Sequence, residues 1–204
     1  MVQTSALSDD ELIPLLLAGD ETAYRQVVSA YHGIMVNLAR NIVGEAIADE
    51  VAQEAWMSVM RALPRFERRS SLKTWILRIV SNTAKSRLRH ESRTINLEAP
   101  LDGSGPMISD SHFDSRGHWQ IPPNIWAVSS PDEIISSDEL QKIINKTLSD
   151  LPPLQRTVLI LREMQGHDME TICKILEVGE SNARVLLHRA RSQIREAIDN
   201  YYRK

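Results

Sequence analysis

Cysteine is almost missing from this chain. Cys173 stands alone, so no internal disulfide can brace the fold, and a reducing compartment suits it. Aromatic residues are scarce, at 5%, and regular runs of alternating β-branched residues are absent. Both argue against a sandwich or barrel and for helical packing. The longest apolar run, Leu12 to Ala18, is interrupted by Pro14 and is too short to cross a bilayer. The opening Met1-Val2-Gln3-Thr4-Ser5 lacks the basic and apolar segments of a secretory signal. A soluble, cytoplasmic protein with no membrane insertion is the expectation.

Catalytic signatures are missing too. There is no Gly-rich phosphate loop, no Gly-x-Ser-x-Gly elbow and no carboxylate pair in a cleft-like context. His112 and His118 are six residues apart, as are His167 and Cys173. Neither is a zinc spacing, and no Cys-x-x-Cys supports them. Cys173 reads as a small packed residue rather than a nucleophile. No catalytic residue, metal or cofactor is expected.

What the chain does have is charge in blocks. Residues 1–64 hold three Lys/Arg against nine Asp/Glu, and residues 65–93 hold nine against two. Residues 94–150 return to three against nine, and residues 151–204 hold nine against seven. The overall net charge of −3 hides this alternation. Such blocks suit a protein that meets DNA with some surfaces and another protein with others.

Punctuation divides the chain in the same way. Ser8-x-x-Glu11 has capping-box spacing ahead of Leu12, Leu15 and Leu16, and Gly19 closes that helix. Asp20 caps a second helix, whose apolar positions Val27, Val28, Tyr31, Ile34, Met35, Leu38 and Ile42 run to Gly44. A third spans about Ile47 to Leu63 and stops at Pro64. Ser70 or Ser71 caps a fourth, with Leu72, Trp75, Ile76, Ile79, Val80 and Leu88 as its buried stripe. Prolines and glycines then fill residues 94–132, a linker of about forty residues, too long for a connection inside one compact domain. Phe113, Trp119, Ile121, Ile125 and Trp126 make it sticky, for packing on a neighbouring domain or docking on a partner. Helical pattern resumes near Glu133, with breaks at Leu151-Pro152-Pro153 and Gly166. The fold class is all-α: two small helical domains, residues 1–93 and 133–204, joined by a long flexible linker.

The last two helices carry the most informative pattern. A short helix from Asp168 to Leu176, a Glu177-Val178-Gly179 turn and a long helix from Ser181 to Tyr201 form a helix-turn-helix candidate. Cys173 supplies the small side chain needed where the helices cross. Ile172, Ile175, Leu176, Val178, Ala183, Leu186, Leu187 and Ala190 form the expected shared core. The remaining face of the second helix offers Ser181, Asn182, Arg184, Val185, His188, Arg189, Arg191 and Arg195. Residues 181–195 contain four arginines and no acid. A helix fits the major groove, where Arg, Asn and Ser read base edges and further arginines pair with phosphates. The bland alternative is a solvated amphipathic helix.

A second basic segment lies upstream. Arg65, Arg68, Arg69, Lys73, Arg78, Lys85, Arg87, Arg89 and Arg93 surround a helix that also carries Asn82, Thr83 and Ser86. Cations with amides and hydroxyls can follow a backbone and hold an unstacked base. Trp75 could stack on a base, but its place on the Leu72/Ile76/Ile79 stripe favours the core.

Taken in order, these pieces resemble one family. Gly19-Asp20-Glu21-Thr22-Ala23-Tyr24 looks like the opening of sigma region 2. Ala48-Asp49-Glu50-Val51-Ala52-Gln53-Glu54-Ala55-Trp56 is similar to its acidic-x-x-Gln-Glu-x-aromatic helix. Leu72-Lys73-Thr74-Trp75-Ile76-Leu77-Arg78-Ile79-Val80-Ser81-Asn82 resembles its Thr-Trp-Leu-x-x-Ile-x-x-Asn helix. Leu151 to Arg156 and Leu187 to Arg191 look like the start and finish of sigma region 4. The chain thus resembles RNA polymerase sigma factors of the extracytoplasmic-function type, in the sigma-70 family, over about residues 8–93 and 133–198.

The resemblance implies a set of roles. Asp49, Glu50, Gln53 and Glu54 would meet core polymerase at the β′ clamp helices, with further contact to the β subunit. Arg68, Arg69, Lys73, Arg78, Asn82, Lys85, Ser86 and Arg89 would bind the minus-ten promoter element. The loop before Leu72 would receive a flipped base, and Asn82 would assist strand opening. Ser181, Asn182, Arg184, Val185, His188, Arg189 and Arg191 would read the minus-thirty-five element. An anti-sigma factor is the implied regulator. The family's turn usually has Gly at position 177 and Ser or Thr at 179. Here Glu177 and Gly179 stand there, so capping of the reading helix is expected to fall to Ser181. The rival reading is a regulator in which residues 1–93 sense a ligand and a dimer binds its operator without polymerase.

Overall fold

A computed structural model describes residues 8–94 and 133–203, with side chains described for 8–90 and 139–203. Expectations for Phe113, Trp119, Ile121, Ile125, Trp126, His112, His118 and the side chain of Arg93 lie outside these residues. Among the described residues every regular element is helical. They fall in two compact units, one built on four helices before the linker, the other on three later helices and most of a fourth.

The first unit contains α1 (Asp9–Leu17), α2 (Glu21–Val43), α3 (Ala48–Ala62) and α4 (Leu72–Thr94). Each start has a chemical cause. The Glu11 carboxylate accepts the Ser8 backbone N–H at 2.9 Å and the Ser8 hydroxyl at 2.8 Å. Those two bonds hold the Glu11 carboxyl below the ordinary carboxylate range. Asp20 accepts the Ala23 N–H at 2.7 Å to open α2, and the Ser71 hydroxyl accepts the Thr74 N–H at 3.2 Å to open α4. Gly19 and Gly44 end α1 and α2 with φ of 81° and 87°, angles that a side chain would strain. A 3-10 turn over Leu63–Arg65 follows α3 at Pro64.

Met35, Leu38, Ile42, Leu72, Ile76 and Leu77 are fully buried where α2, α3 and α4 pack together. Each such side chain contributes roughly 1.5–3 kcal/mol of transfer free energy. Ala39, Ala52, Ala55 and Ala84 have no exposed surface, so their small side chains let the helices approach closely. Trp75, Ile79 and Leu88 are half-buried rather than core.

The second unit contains α5 (Glu133–Asp150), α6 (Pro153–Leu159), most of α7 (Met169–Leu176) and α8 (Glu180–Tyr202). Pro153 occupies the first turn of α6, where its missing N–H costs nothing. The sequence pattern predicts one helix from Leu154 to Gln165. Instead the chain widens into a π-helical turn over Ile160–Met164, closed by Gln165 N–H to Ile160 C=O at 3.1 Å. α5 and α6 both pack on α8, around buried Leu151, Val158, Leu161 and Leu186.

Candidate nucleic-acid and partner interfaces

In α3, Ala48, Val51, Ala52, Ala55 and Val59 face the core, which turns Asp49, Glu50, Gln53 and Glu54 outward. All four are exposed. Met57, 64% exposed, extends this face by one turn. Trp56 points back toward α2, where its indole N–H donates to Nδ1 of His32 at 3.3 Å. Arg87 of α4 reaches the acidic face from the side. Its guanidinium lies 3.2 Å from Glu50 and 3.3 Å from Glu54. Arg87 belongs to the basic segment, yet the sequence offers no sign of this pairing, because its partners lie more than thirty residues upstream.

The loop that leads into α4 is cationic and anchored. Phe66 packs on Trp75 with ring centroids 4.7 Å apart and planes tilted by 35°, so Trp75 is a packing residue here. Arg68 adopts φ of 56°, uncommon for a residue with a side chain. It pairs with Asp10 at 3.1 Å, and Arg69 pairs with Glu67 at 2.6 Å. Arg68, Arg69, Arg78, Ser86 and Arg89 are exposed, while Lys73 and Asn82 are half-buried. Lys85 departs from the expected exposed set, at 9% exposure.

In the second unit, Asp168 caps α7 by accepting the Thr171 N–H at 2.7 Å. α7 ends with Val178 N–H bonded to Cys173 C=O at 3.3 Å and Glu177 at φ of 49°. This is a Schellman ending with glutamate in the position that glycine usually fills. Gly179 then becomes the N-cap of α8, with extended backbone and no side-chain bond. The expectation that Ser181 would cap the helix is therefore corrected: α8 begins one residue before it. Ile172, Ile175, Leu176, Ala183, Leu186, Leu187 and Ala190 are buried as expected, and Val178 and Cys173 are half-buried.

On α8, Ser181, Asn182, Arg184 and Val185 are exposed, and His188 and Arg189 are half-buried. Arg184 pairs with Glu180 one turn earlier, at 2.6 Å. Arg191 corrects the sequence reading. It is 5% exposed and points inward to Glu163 of the π turn, its Nε donating at 3.1 Å and its Nη2 bonding the same oxygen. The reason is spacing: Leu187, Arg191 and Ile194 recur at steps of four and three, on the side facing the core. Arg195 is likewise turned from solvent and lies 3.6 Å from Asp199.

Two outward cationic elements and one outward anionic helix are thus present, each with its own scaffold. Residues 27–94 match the family model for Sigma-70 region 2, and residues 141–194 match that for Sigma-70, region 4. A curated relative, the ECF RNA polymerase sigma-E factor of Escherichia coli K12, is 31% identical over 194 residues, 95% of this chain and 94% of the relative. The chain belongs to the extracytoplasmic-function sigma factors of the sigma-70 family. This sigma factor is also similar to a probable RNA polymerase sigma factor of Haemophilus influenzae, at 32% identity over 80% of the chain and 84% of the relative. Its fold matches that of the sigma factor RpoE, solved in complex with the anti-sigma factor NepR from Bartonella quintana. The TM-score there is 0.57, with 19% identity over 86% of this chain and 96% of that one. In the terms of the sigma factor, α2 to α4 carry region 2, and the helices from α5 to α8 carry region 4.

Proposed function

We propose that this alternative sigma factor joins core RNA polymerase through the outward face of α3 and carries it to promoters with α4 and α8. One observation supports the reading above the rest. The acid-and-amide face Asp49, Glu50, Gln53 and Glu54 is fully outward, although α3 has ample apolar surface buried behind it. An anionic face of this kind pairs with a basic partner helix, for which the β′ clamp helices are the proposed match, with added contact to the β subunit. In this reading the domains are residues 1–93 and 133–204, with residues 94–132 linking them. The loop from Arg68 and the outer face of α4, through Lys73, Arg78, Asn82, Ser86 and Arg89, engage the minus-ten element. Ser181, Asn182, Arg184, Val185, His188 and Arg189 engage the minus-thirty-five element, the arginines through base edges and phosphates. The protein acts in the cytoplasm, performs no chemistry itself and is restrained by an anti-sigma factor, as its structural relative from Bartonella quintana is solved with one.

Run-off transcription from a library of genomic promoter fragments tests this. Purified core polymerase with the protein yields discrete transcripts that core alone does not. A protein that binds a duplex operator tightly by itself and yields no transcript with core is a ligand-sensing repressor or activator instead.

A further inference from the structure

Asp9 and Asp10, the first two residues of α1, are both committed to the loop that opens α4. The Asp9 carboxylate accepts the backbone N–H of Leu72 at 2.7 Å, and the Asp10 carboxylate holds the Arg68 guanidinium at 3.1 Å. These are contacts across 63 and 58 residues of sequence. Leu72 begins α4, so its N–H is one of the donors that a helix cannot satisfy internally. Ser71 takes the neighbouring donor at Thr74, and Asp9 takes Leu72, placing a negative charge at the positive end of the helix dipole. Asp9 also faces Tyr31 of α2, whose phenol is held above its ordinary range by burial first and by this carboxylate second. The acid therefore sits at the junction of α1, α2 and α4.

Between these two anchors lies Arg68, in a left-handed backbone conformation that costs an ordinary residue free energy and persists only where neighbours enforce it. The loop is thus fixed at its start by Phe66 on Trp75, in its middle by Asp10 and at its end by Asp9. Asp10 and Arg68 are both substantially exposed, so their pairing adds little stability. What it does is select one loop shape. The region 2 family-model match begins at residue 27, downstream of both acids.

We propose that Asp9 and Asp10 are positioning residues for capture of the minus-ten element, presetting the loop of residues 66–71 so that an extruded base meets a formed receptor. This rests on the reading of that loop as the minus-ten contact. Binding to a preset loop avoids the ordering loss that a mobile one incurs, and extruding a base from the stack is already unfavourable.

The test uses holoenzyme assembled from core polymerase and the full chain. The probe is a fluorescent single-stranded oligonucleotide carrying the non-template minus-ten segment of a promoter found by run-off transcription. Asp9→Ala, which deletes the acceptor, lowers oligonucleotide affinity roughly five- to tenfold, the effect of losing a helix cap. Asp9→Asn keeps an acceptor in place and restores affinity to within about twofold of wild type. Asp10→Asn lowers it about two- to threefold, as expected for an exposed pair. Association with core polymerase stays unchanged in all three. Equal loss of core association and oligonucleotide capture in Asp9→Ala reduces the acid to a general structural role and overturns the proposal. Wild-type capture by Asp10→Asn overturns it as well, even where Asp9→Ala fails to fold. Arg68→Ala separates the two levels of inference: if it captures the oligonucleotide normally, the minus-ten reading itself falls.

Discussion

Arg87 of α4 stands beside Glu54 of α3, its Nη1 3.3 Å from the carboxylate, while its Nη2 lies 3.2 Å from Glu50. A cation from the proposed DNA-facing helix is therefore the resident counter-ion of the proposed polymerase-facing helix. One side chain thus ties the exposed acids of α3 to α4.

Replacing Arg87 with alanine removes the cation that these two carboxylates now hold. Association with core polymerase is expected to tighten about two- to fivefold at low salt and to become more salt-dependent. Stability changes by no more than about 1 kcal/mol, because the pairs are exposed. Titration of labelled protein into core enzyme at two ionic strengths measures both. A weakened complex at both salts would make Arg87 a direct contact instead.

Gln53→Ala combined with Glu54→Ala removes the centre of the anionic face. Core association is expected to fall at least tenfold, about 1.4 kcal/mol, with a melting transition close to wild type because both residues are exposed. Co-purification with tagged core polymerase reads the result. An undiminished yield would move the docking site away from α3.

Arg184 and Arg191 separate reading from packing on one helix. Arg184→Ala, at an exposed position, is expected to weaken minus-thirty-five binding by about 1–3 kcal/mol while stability stays within about 0.5 kcal/mol. Arg191→Ala loses the bonds to Glu163 and costs about 1–2 kcal/mol of stability. Urea denaturation with promoter binding by holoenzyme distinguishes them. Arg189→Ala should resemble Arg184→Ala, and core association should survive in it.

Burial raises the pKa of the Cys173 thiol, Glu180 raises it further, and Arg184 opposes them more weakly. A raised thiol pKa means less thiolate at every pH below it, so reaction with a disulfide reagent is slow at neutral pH. The rate should keep climbing past the range where a free cysteine levels off. Glu180→Gln shifts that profile toward lower pH, and Arg184→Ala shifts it higher. A profile that levels off with free cysteine would refute this description of the helix-turn-helix.

Local chemistry was the readable part of the fold. Ser8 with Glu11, Asp20, Gly19, Gly44 and Gly166 mark helix ends because a cap or a left-handed turn needs only its neighbours. Asp9 and Asp10 were hidden by the same logic. An acidic first turn already has a local explanation, so nothing in the sequence signals that their partners are Leu72 and Arg68. Arg87 with Glu50 and Glu54 was hidden for the same reason. Arg191 is a different case. Its spacing from Leu187 and Ile194 marks an inward position, while its charge marks an outward one, and the contact with Glu163 that reconciles the two is not local. At the turn before α8, Glu177 takes the left-handed conformation despite its side chain, which a neighbouring glycine at 179 does not signal.

The widened turn at Ile160–Met164 acts as a phase setting for everything that hangs on it. Each residue advances an α-helix by about 100°, so excising Leu161 or Arg162 ahead of Glu163 would turn that carboxylate to a different bearing around the axis. The Arg191 guanidinium would then lose its two bonds to Glu163. The length of this turn and the residue at position 191 are therefore a coupled pair in any redesign of region 4.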